Sequence, residues 1–485
     1  MAVKECWLYL SENKTLRLVT LCGLYIAQGI PWGFVTVSFA SWLAKPEQGI
    51  TTEQLGPILA VATLPWSFKF LWGPLMDRFS IRSLGRRRPW ILFAQAMAIL
   101  LLSSMLVVED LTTWVWKSAP EAGSWRNTIY PIVPGPLAGL ILLANVFVSM
   151  QDVAVDALAV DLLDEKERGI ANGLMYGSSY LGTAIGGAGL GFVIARFGIQ
   201  AGLCGQALLL SGIMLLPLCF RERRQATEVS QLETSRTLGQ APNSAEAEAS
   251  LGAGCIGREC DANKKFRSSG RDRGTRQKDS MVANLLKAFT LRATVLGVVL
   301  AVVIKIGSGV VTTVLVDYLM KEGGWRQEEY TAVTGGWAVM LGLAGSVVGG
   351  FLADRWGPKG LIVTSSCALG LLWLIAGSGP GFMSSGKTVT VLILGQDLLL
   401  AIMSVSLFTL FMTISWPRVA ATQFTAYMAL MNLGTTIGSY AAGSLGQAFS
   451  ISEVFLLVGG LQIFAVAPVL LIDPRETRRV LATEA

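Results

Sequence analysis

The chain has 485 residues, of which 52% are hydrophobic and only 15% charged, with a mean hydropathy of +0.54. A soluble domain carries about 25% charged residues, so an ordinary water-soluble enzyme or binding module is excluded. The net charge is +6, and the absence of any histidine excludes a histidine-containing metal site. A run of about 20 apolar residues crosses the hydrocarbon core as a helix. Such runs are predicted, in chain order, over residues 17–43, 53–75, 88–108, 136–160, 170–195, 200–220, 290–320, 330–353, 359–378, 388–414, 423–448 and 453–472. They are continuous rather than alternating, which argues against a β-barrel. Met1–Thr15 carries Lys4, Glu5, Glu12 and Lys14, and the first run is too long for a signal-peptide core, so no cleavable leader is expected.

Charge placement sets the expected orientation. With the N-terminus in the cytoplasm, the inner connections hold Arg78, Arg82, Arg86, Arg87, Arg88, Lys166, Arg168, Arg355, Lys359 and Arg418. The outer ones hold few, among them Lys45, Lys117, Arg126 and Lys321. This bias places both termini inside. The longest polar stretch, rich in Ser, Gly, Ala, Glu and Arg, cannot bury enough apolar surface to fold alone. It divides the chain into a six-helix bundle over 1–220, a basic disordered cytoplasmic linker over 221–287 and a second bundle over 288–485. The linker's charge reads as a topology signal rather than a nucleic-acid site. A second polar insert, Glu109–Pro134, carries Trp114, Trp116 and Trp125, indoles suited to the headgroup layer.

The two halves repeat. LGTAIG at Leu181–Gly186 recurs as LGTTIG at Leu433–Gly438, and GPLMDRFS at Gly73–Ser80 is echoed by GGFLADRWG at Gly349–Gly357. Parallel six-helix halves around a central cavity form an all-α integral membrane layout of about twelve helices. The stretch Gly73-Pro74-Leu75-Met76-Asp77-Arg78, followed by Gly85-Arg86-Arg87-Arg88, resembles the signature loop of the major facilitator superfamily. It is read as a conformational latch made by Gly73, Asp77, Arg78, Gly85, Arg86 and Arg87, with Asp354 and Arg355 as the echo.

The resemblance narrows further. FKFLWGPLMDR at Phe68–Arg78, GRRRPW at Gly85–Trp90, QDVAVDA at Gln151–Ala157 and ATQF at Ala421–Phe424 are similar to the AmpG muropeptide permeases and the related acetyl-CoA transporters. That resemblance implies the major facilitator fold, proton-coupled symport, and uptake of GlcNAc–anhydro-muramyl peptides across the inner membrane for cell-wall recycling, with an acetyl-CoA-type carrier as the alternative.

Intramembrane ionisable residues mark the expected site, because a charge at mid-bilayer costs several kcal/mol without a partner or a cavity. Asn145, Ser149, Asp152 and Asp156 share one helical face. Asp152 and Asp156 are therefore the candidates for proton coupling, with an ion pair to Lys69 as the structural alternative. Lys69 and Lys305 are the lysines deep in apolar runs, each needing a counter-charge from an Asp, such as Asp317 or Asp397, or from an anionic substrate. Tyr25, Gln28, Trp32 and Thr36 share a face of the first helix, and Asn172, Tyr176, Ser179 and Thr183 one of the fifth. The expected substrate cavity thus includes Tyr25, Gln28, Trp32, Lys69, Gln151, Asn172, Tyr176, Lys305, Asp397 and Gln423. GFMSSGKT at Gly381–Thr388 matches the phosphate-loop pattern, but the pattern has meaning only between a strand and a helix. No enzyme chemistry, metal or cofactor is expected; the expected partners are a small solute, protons and the lipid bilayer, with no nucleic acid.

Overall fold

Long apolar runs leave a backbone in lipid no partner but itself, and helices satisfy it. The computed structural model describes residues 8–78, 85–116, 133–163, 168–222, 286–379, 381–416 and 419–481. The side chains of Asp77, Arg78, Asn172 and Asp354 lie outside that description, as do most of the linker and of the Trp-bearing insert.

Twelve helical segments follow in order among the described residues. In the first half they are α1 (Lys14–Leu43), α2 (Thr52–Arg78, in pieces), α3 (Arg88–Val107), α4 (Pro136–Leu162), α5 (Arg168–Phe197) and α6 (Ile199–Cys219). In the second they are α7 (Arg292–Lys321), α8 (Gln327–Trp356), α9 (Pro358–Ser378), α10 (Gly386–Ile414), α11 (Ala420–Ala448) and α12 (Ile451–Leu471). Ten helices among the described residues are long and apolar enough to cross a membrane. The other two segments, α2 and α11, differ for physical reasons. Segment α2 is a helix over Thr52–Thr63, two 3-10 turns over Leu64–Ser67 and Lys69–Leu71, and a helix over Trp72–Arg78. Pro65 is the second residue of the first turn, where its missing N–H cannot continue the α ladder. Helix α11 is continuous over 29 residues but dilutes its apolar content with Gln423, Asn432, Thr435 and Thr436.

Odd-numbered helices start, and even-numbered ones end, on one face of the bundle, here called the basic face because Arg87, Arg88, Arg292, Arg355 and Lys359 lie there. On that face a short parallel pairing of β1 (Leu8–Tyr9) with β2 (Phe220–Arg221) joins the approach to α1 to the exit from α6. It is the one departure from an all-α architecture among the described residues.

The sequence repeat is a packing device. Ideal Cβ atoms on Gly182 and Gly186 of α5 would strike the carbonyl oxygens of Ile26 and Ile30 on α1, at 2.3 and 2.1 Å. On α11, Gly434 and Gly438 would strike those of Val302 and Ile306 on α7, both at 2.1 Å. The reciprocal glycines match as well: Gly33 faces Thr183 and Gly187, and Gly309 faces Thr435 and Ser439. One constant offset therefore carries α1 onto α7 and a second carries α5 onto α11. Small residues permit this backbone approach, and the duplication has kept it.

The halves meet on the face opposite the basic one. There the Thr52 hydroxyl bonds to Asp317, Lys321 donates to the Ile50 carbonyl at 2.7 Å, Gln327 to the Ser38 carbonyl at 3.1 Å and Gln447 to Glu53 at 2.8 Å. Three π-helical turns, Phe34–Phe39, Ile185–Gly189 and Ala332–Trp337, pack together at this seam. A Cβ on Gly335 would lie 2.5 Å from the Ala188 nitrogen. At mid-height the halves touch through the Thr63 and Thr436 hydroxyls at 2.6 Å and through Tyr180 and Ser346 at 3.2 Å. These bonds draw the two halves together at mid-height and on this opposite face.

Candidate functional site

The broken segment α2 creates the site. Its 3-10 turns carry Trp66 and Lys69 out of helical register and bring them against α1 and α4. Lys69 Nζ lies 3.2 Å from Asp152 Oδ2, with both side chains largely buried. The ammonium also stands 6.0 Å from the Trp66 ring centroid, within reach of the ring's negative face. One turn along α4, Asp156 accepts a hydrogen bond from the Tyr25 hydroxyl of α1. Between these pairs and the opposite face, Trp72 Nε1 donates to Ser149 Oγ at 3.2 Å. Ser149, Asp152 and Asp156 of the α4 stripe are thus each met by a donor from α1 or α2. Asn145, at its far end, donates to the Ile141 carbonyl of its own helix at 2.9 Å.

Aromatic rings line the approach. Trp32 meets Trp66 edge-on at 6.0 Å, and Tyr176 lies 6.4 Å from Tyr25 with its own ring exposed. Gln28 Nε2 and Trp66 Nε1 are buried and have no hydrogen-bond partner among the described residues. Two open donors beside a charged cluster are unusual in a native interior, and they offer hydrogen bonds to a solute or to water.

The structure brings Tyr25, Gln28, Trp32, Lys69, Asp152, Asp156 and Tyr176 into one region. Other expected cavity residues lie elsewhere. Gln151 faces α3, donating to Gln95 at 3.3 Å. Gln423 sits near the basic face, accepting from the Trp416 N–H and donating to Thr294 and Tyr427, so its amide is occupied. Asn172 falls on α5, its side chain outside the described residues. In the second half, Lys305 donates to Ser404 Oγ at 2.9 Å. Asp397 is partly buried on α10, within electrostatic reach of Lys305 and Tyr330 but paired with neither. Asp317 serves neither deep lysine; it pairs with Lys321 at the seam.

The expected latch resolves into a clasp inside the first half. Gly85 has φ +105°, and a Cβ there would lie 2.7 Å from the Glu222 carboxyl carbon, so only glycine fits beside it. Glu222 accepts the backbone N–H groups of Arg86 at 2.9 Å, Arg87 at 2.7 Å and Arg88, capping the positive end of α3. Arg87 Nε bonds Asp161 of α4 at 3.0 Å, while Arg88 donates to the Pro217 and Leu218 carbonyls of α6. Arg86 and Arg355 are exposed, and Gly73 stands in open space. Asp77, Arg78 and Asp354 fall on side chains outside the description. Sequence reasoning missed Glu222, Trp66, Trp72 and Ser404. Trp66 was legible as the residue after Pro65, but its partner was not.

Comparison with known proteins bears on this architecture. Residues 17–186 match the family described as acetyl-coenzyme A transporter 1, and residues 297–485 match the Major Facilitator Superfamily. The xylose transporter XylE from E. coli, solved in an inward open conformation, superposes with a TM-score of 0.62 at 13% identity, covering 96% of this chain and 99% of that one. The chain thus has the fold of the major facilitator transporters. The anhydromuropeptide permease of Escherichia coli K12 is 27% identical over 179 residues, which is 37% of this chain and 32% of that protein. A protein of Rickettsia conorii described as putative transporter AmpG 4 is 30% identical over 179 residues, 36% of this chain and 38% of its own length. The chain thus spans about a third of the length of the curated relatives it matches. These matches are to transporters and a permease, not to enzymes. The phosphate-loop pattern at Gly381–Thr388 agrees with that assignment, since it runs through a turn directly into α10 with no strand before it.

Proposed function

We propose that this protein is a secondary active transporter that couples proton movement to uptake of GlcNAc–anhydro-muramyl peptides. The observation that carries the reading is the buried Lys69–Asp152 pair with Asp156 and Tyr25 beside it, facing rings and open donors midway through the membrane. Two carboxylates on one stripe, one neutralised by an ammonium and one held by a phenol, can exchange a proton when the solute disturbs either partner. Aromatic rings next to amide and indole donors suit sugar faces and peptide carbonyls. The positive-inside bias favours a basic face and termini on the cytoplasmic side of the inner membrane, with the solute's exit toward that face.

The match of residues 17–186 to the acetyl-coenzyme A transporter family favours a second reading, an acyl-CoA carrier. Coenzyme A carries several phosphates and calls for several deep cations. The two deep lysines, one of them already paired, favour the muropeptide. The test is uptake of labelled GlcNAc–anhydro-muramyl tripeptide into proteoliposomes with and without an inward proton gradient, in wild type, Asp152→Asn and Asp156→Asn. Gradient-driven uptake lost in either variant is the expected result. No uptake by folded wild type would sink the muropeptide reading and leave the fold standing.

A further inference from the structure

The duplication that matches α5 to α11 also matches α4 to α10. Helices α4 and α10 end at Leu162 and Ile414, and α5 and α11 begin at Arg168 and Ala420, all at the same offset as the paired glycines. At that offset Ser404 occupies the place of Asp152, and Asp397 the place of Asn145. The offset that relates α1 to α7 sets Lys305 in the place of Gly29. Gly29 is pressed against the α5 backbone, where a Cβ would lie 2.2 Å from the Ser179 carbonyl oxygen. Its counterpart carries a full lysine, whose Cβ sits beside Gly434 of α11 and whose ammonium reaches α10.

The two halves therefore hold an ammonium at the same station on two related helices, and they hold it differently. In the first half the holder is a carboxylate, Asp152, and the charge is cancelled. In the second the holder is a hydroxyl, Ser404, and no carboxylate among the described residues forms an ion pair with the ammonium. Asp397 lies two turns along α10, about 10 Å of helix rise away, and forms no ion pair with Lys305. An intramembrane cation of this kind marks a site for an opposite charge that arrives from outside the protein.

We infer that Lys305, oriented by Ser404, binds the anionic group of the transported solute, a carboxylate or a phosphate. The inference rests on the transporter reading and deepens it by naming the solute class: an organic anion, whose charge docks in the second half while its uncharged body lies against the rings of the first. Helix α11 connects the two regions, since it packs on Lys69–Leu71 on one side and on Lys305 through Gly434 on the other.

The experiment measures binding to purified full-length protein by thermal unfolding at graded probe concentrations. The probes are GlcNAc–anhydro-muramyl tripeptide, the same molecule with its carboxyls amidated, acetyl-CoA, and the phosphate-free acetyl-pantetheine. The proteins are wild type, Lys305→Gln, Lys305→Arg and Ser404→Asp. At least tenfold weaker binding of one acidic probe in Lys305→Gln and in Ser404→Asp, retained binding in Lys305→Arg, and no change toward the neutral partner probe are expected. If that probe is acetyl-CoA alone, the inference stands and the muropeptide reading falls. If muropeptide binds wild type and Lys305→Gln equally, the inference is overturned and the muropeptide reading survives. Failure of both acidic probes to bind folded wild type overturns both.

Discussion

The two halves of this protein share a skeleton and differ in how they treat charge. Each packs its first helix on its fifth through paired glycines, and each ends in a glutamate that caps a helix. Glu222, after α6, takes three N–H groups of Arg86, Arg87 and Arg88. Glu476, after α12, takes those of Arg292 and Ala293, at 3.3 and 2.8 Å. Yet the first half closes its deep lysine into a pair with Asp152, whereas the second leaves Lys305 on a hydroxyl. Duplication preserved what holds helices together, and the polar residues at midplane were free to diverge. The difference teaches that fold and chemistry are carried by separate positions of the same helices.

The largest effect is expected from making the first half like the second. Asp152→Ser leaves Lys69 without its carboxylate and should destabilise the protein by about 3–5 kcal/mol, as removal of one partner of a buried pair does. The double variant Lys69→Met/Asp152→Leu should recover most of that stability while transport stays lost. Thermal unfolding of wild type and the two variants checks this; a single variant no worse than the double would remove the coupling on which the comparison stands. Next come the caps. Glu222→Ala should cost about 1.5–3 kcal/mol through lost charge-assisted bonds, and Glu476→Ala less, because it frees one N–H fewer; equal losses would show that cap number is irrelevant. Gly335→Val should cost about 1–3 kcal/mol by overpacking the seam and expose that face. Maleimide labelling of a cysteine placed at Gln447, in a background without the native cysteines, should then rise. The smallest effect, about 0.6 kcal/mol, is expected for Thr63→Val, which removes one interhelical hydroxyl bond in a membrane.

Much of the fold was legible because lipid imposes a simple grammar: long apolar runs, basic connections, and a repeat in LGTAIG and LGTTIG. The repeat's meaning became visible only when Gly182 and Gly434 were seen against carbonyls. In the site, the α4 stripe of Ser149, Asp152 and Asp156 was readable from helical periodicity, as was Lys69 as an ion-pair partner. Tyr25's bond to Asp156 was not, since two helices separated by over a hundred residues must first be packed. Asp317 illustrates the opposite failure: an acidic residue inside an apolar run looked like a partner for a deep lysine, but it lies near the end of α7, within reach of Lys321 four residues on. Glu222 was hidden because it lies at the edge of a polar stretch whose composition reads as linker.

The seam on the opposite face has a further consequence. A π turn accommodates one residue more than the α ladder takes, and one residue corresponds to about 100° of rotation along a helix. At Phe34–Phe39, Ile185–Gly189 and Ala332–Trp337 three helices each store such an increment where they touch. Returning one of these turns to α geometry would swivel the turn and the short end beyond it, where Ser38, Gly191 and Thr331 make their contacts. The contacts that close this side thus depend on winding, a backbone variable that salt does not screen.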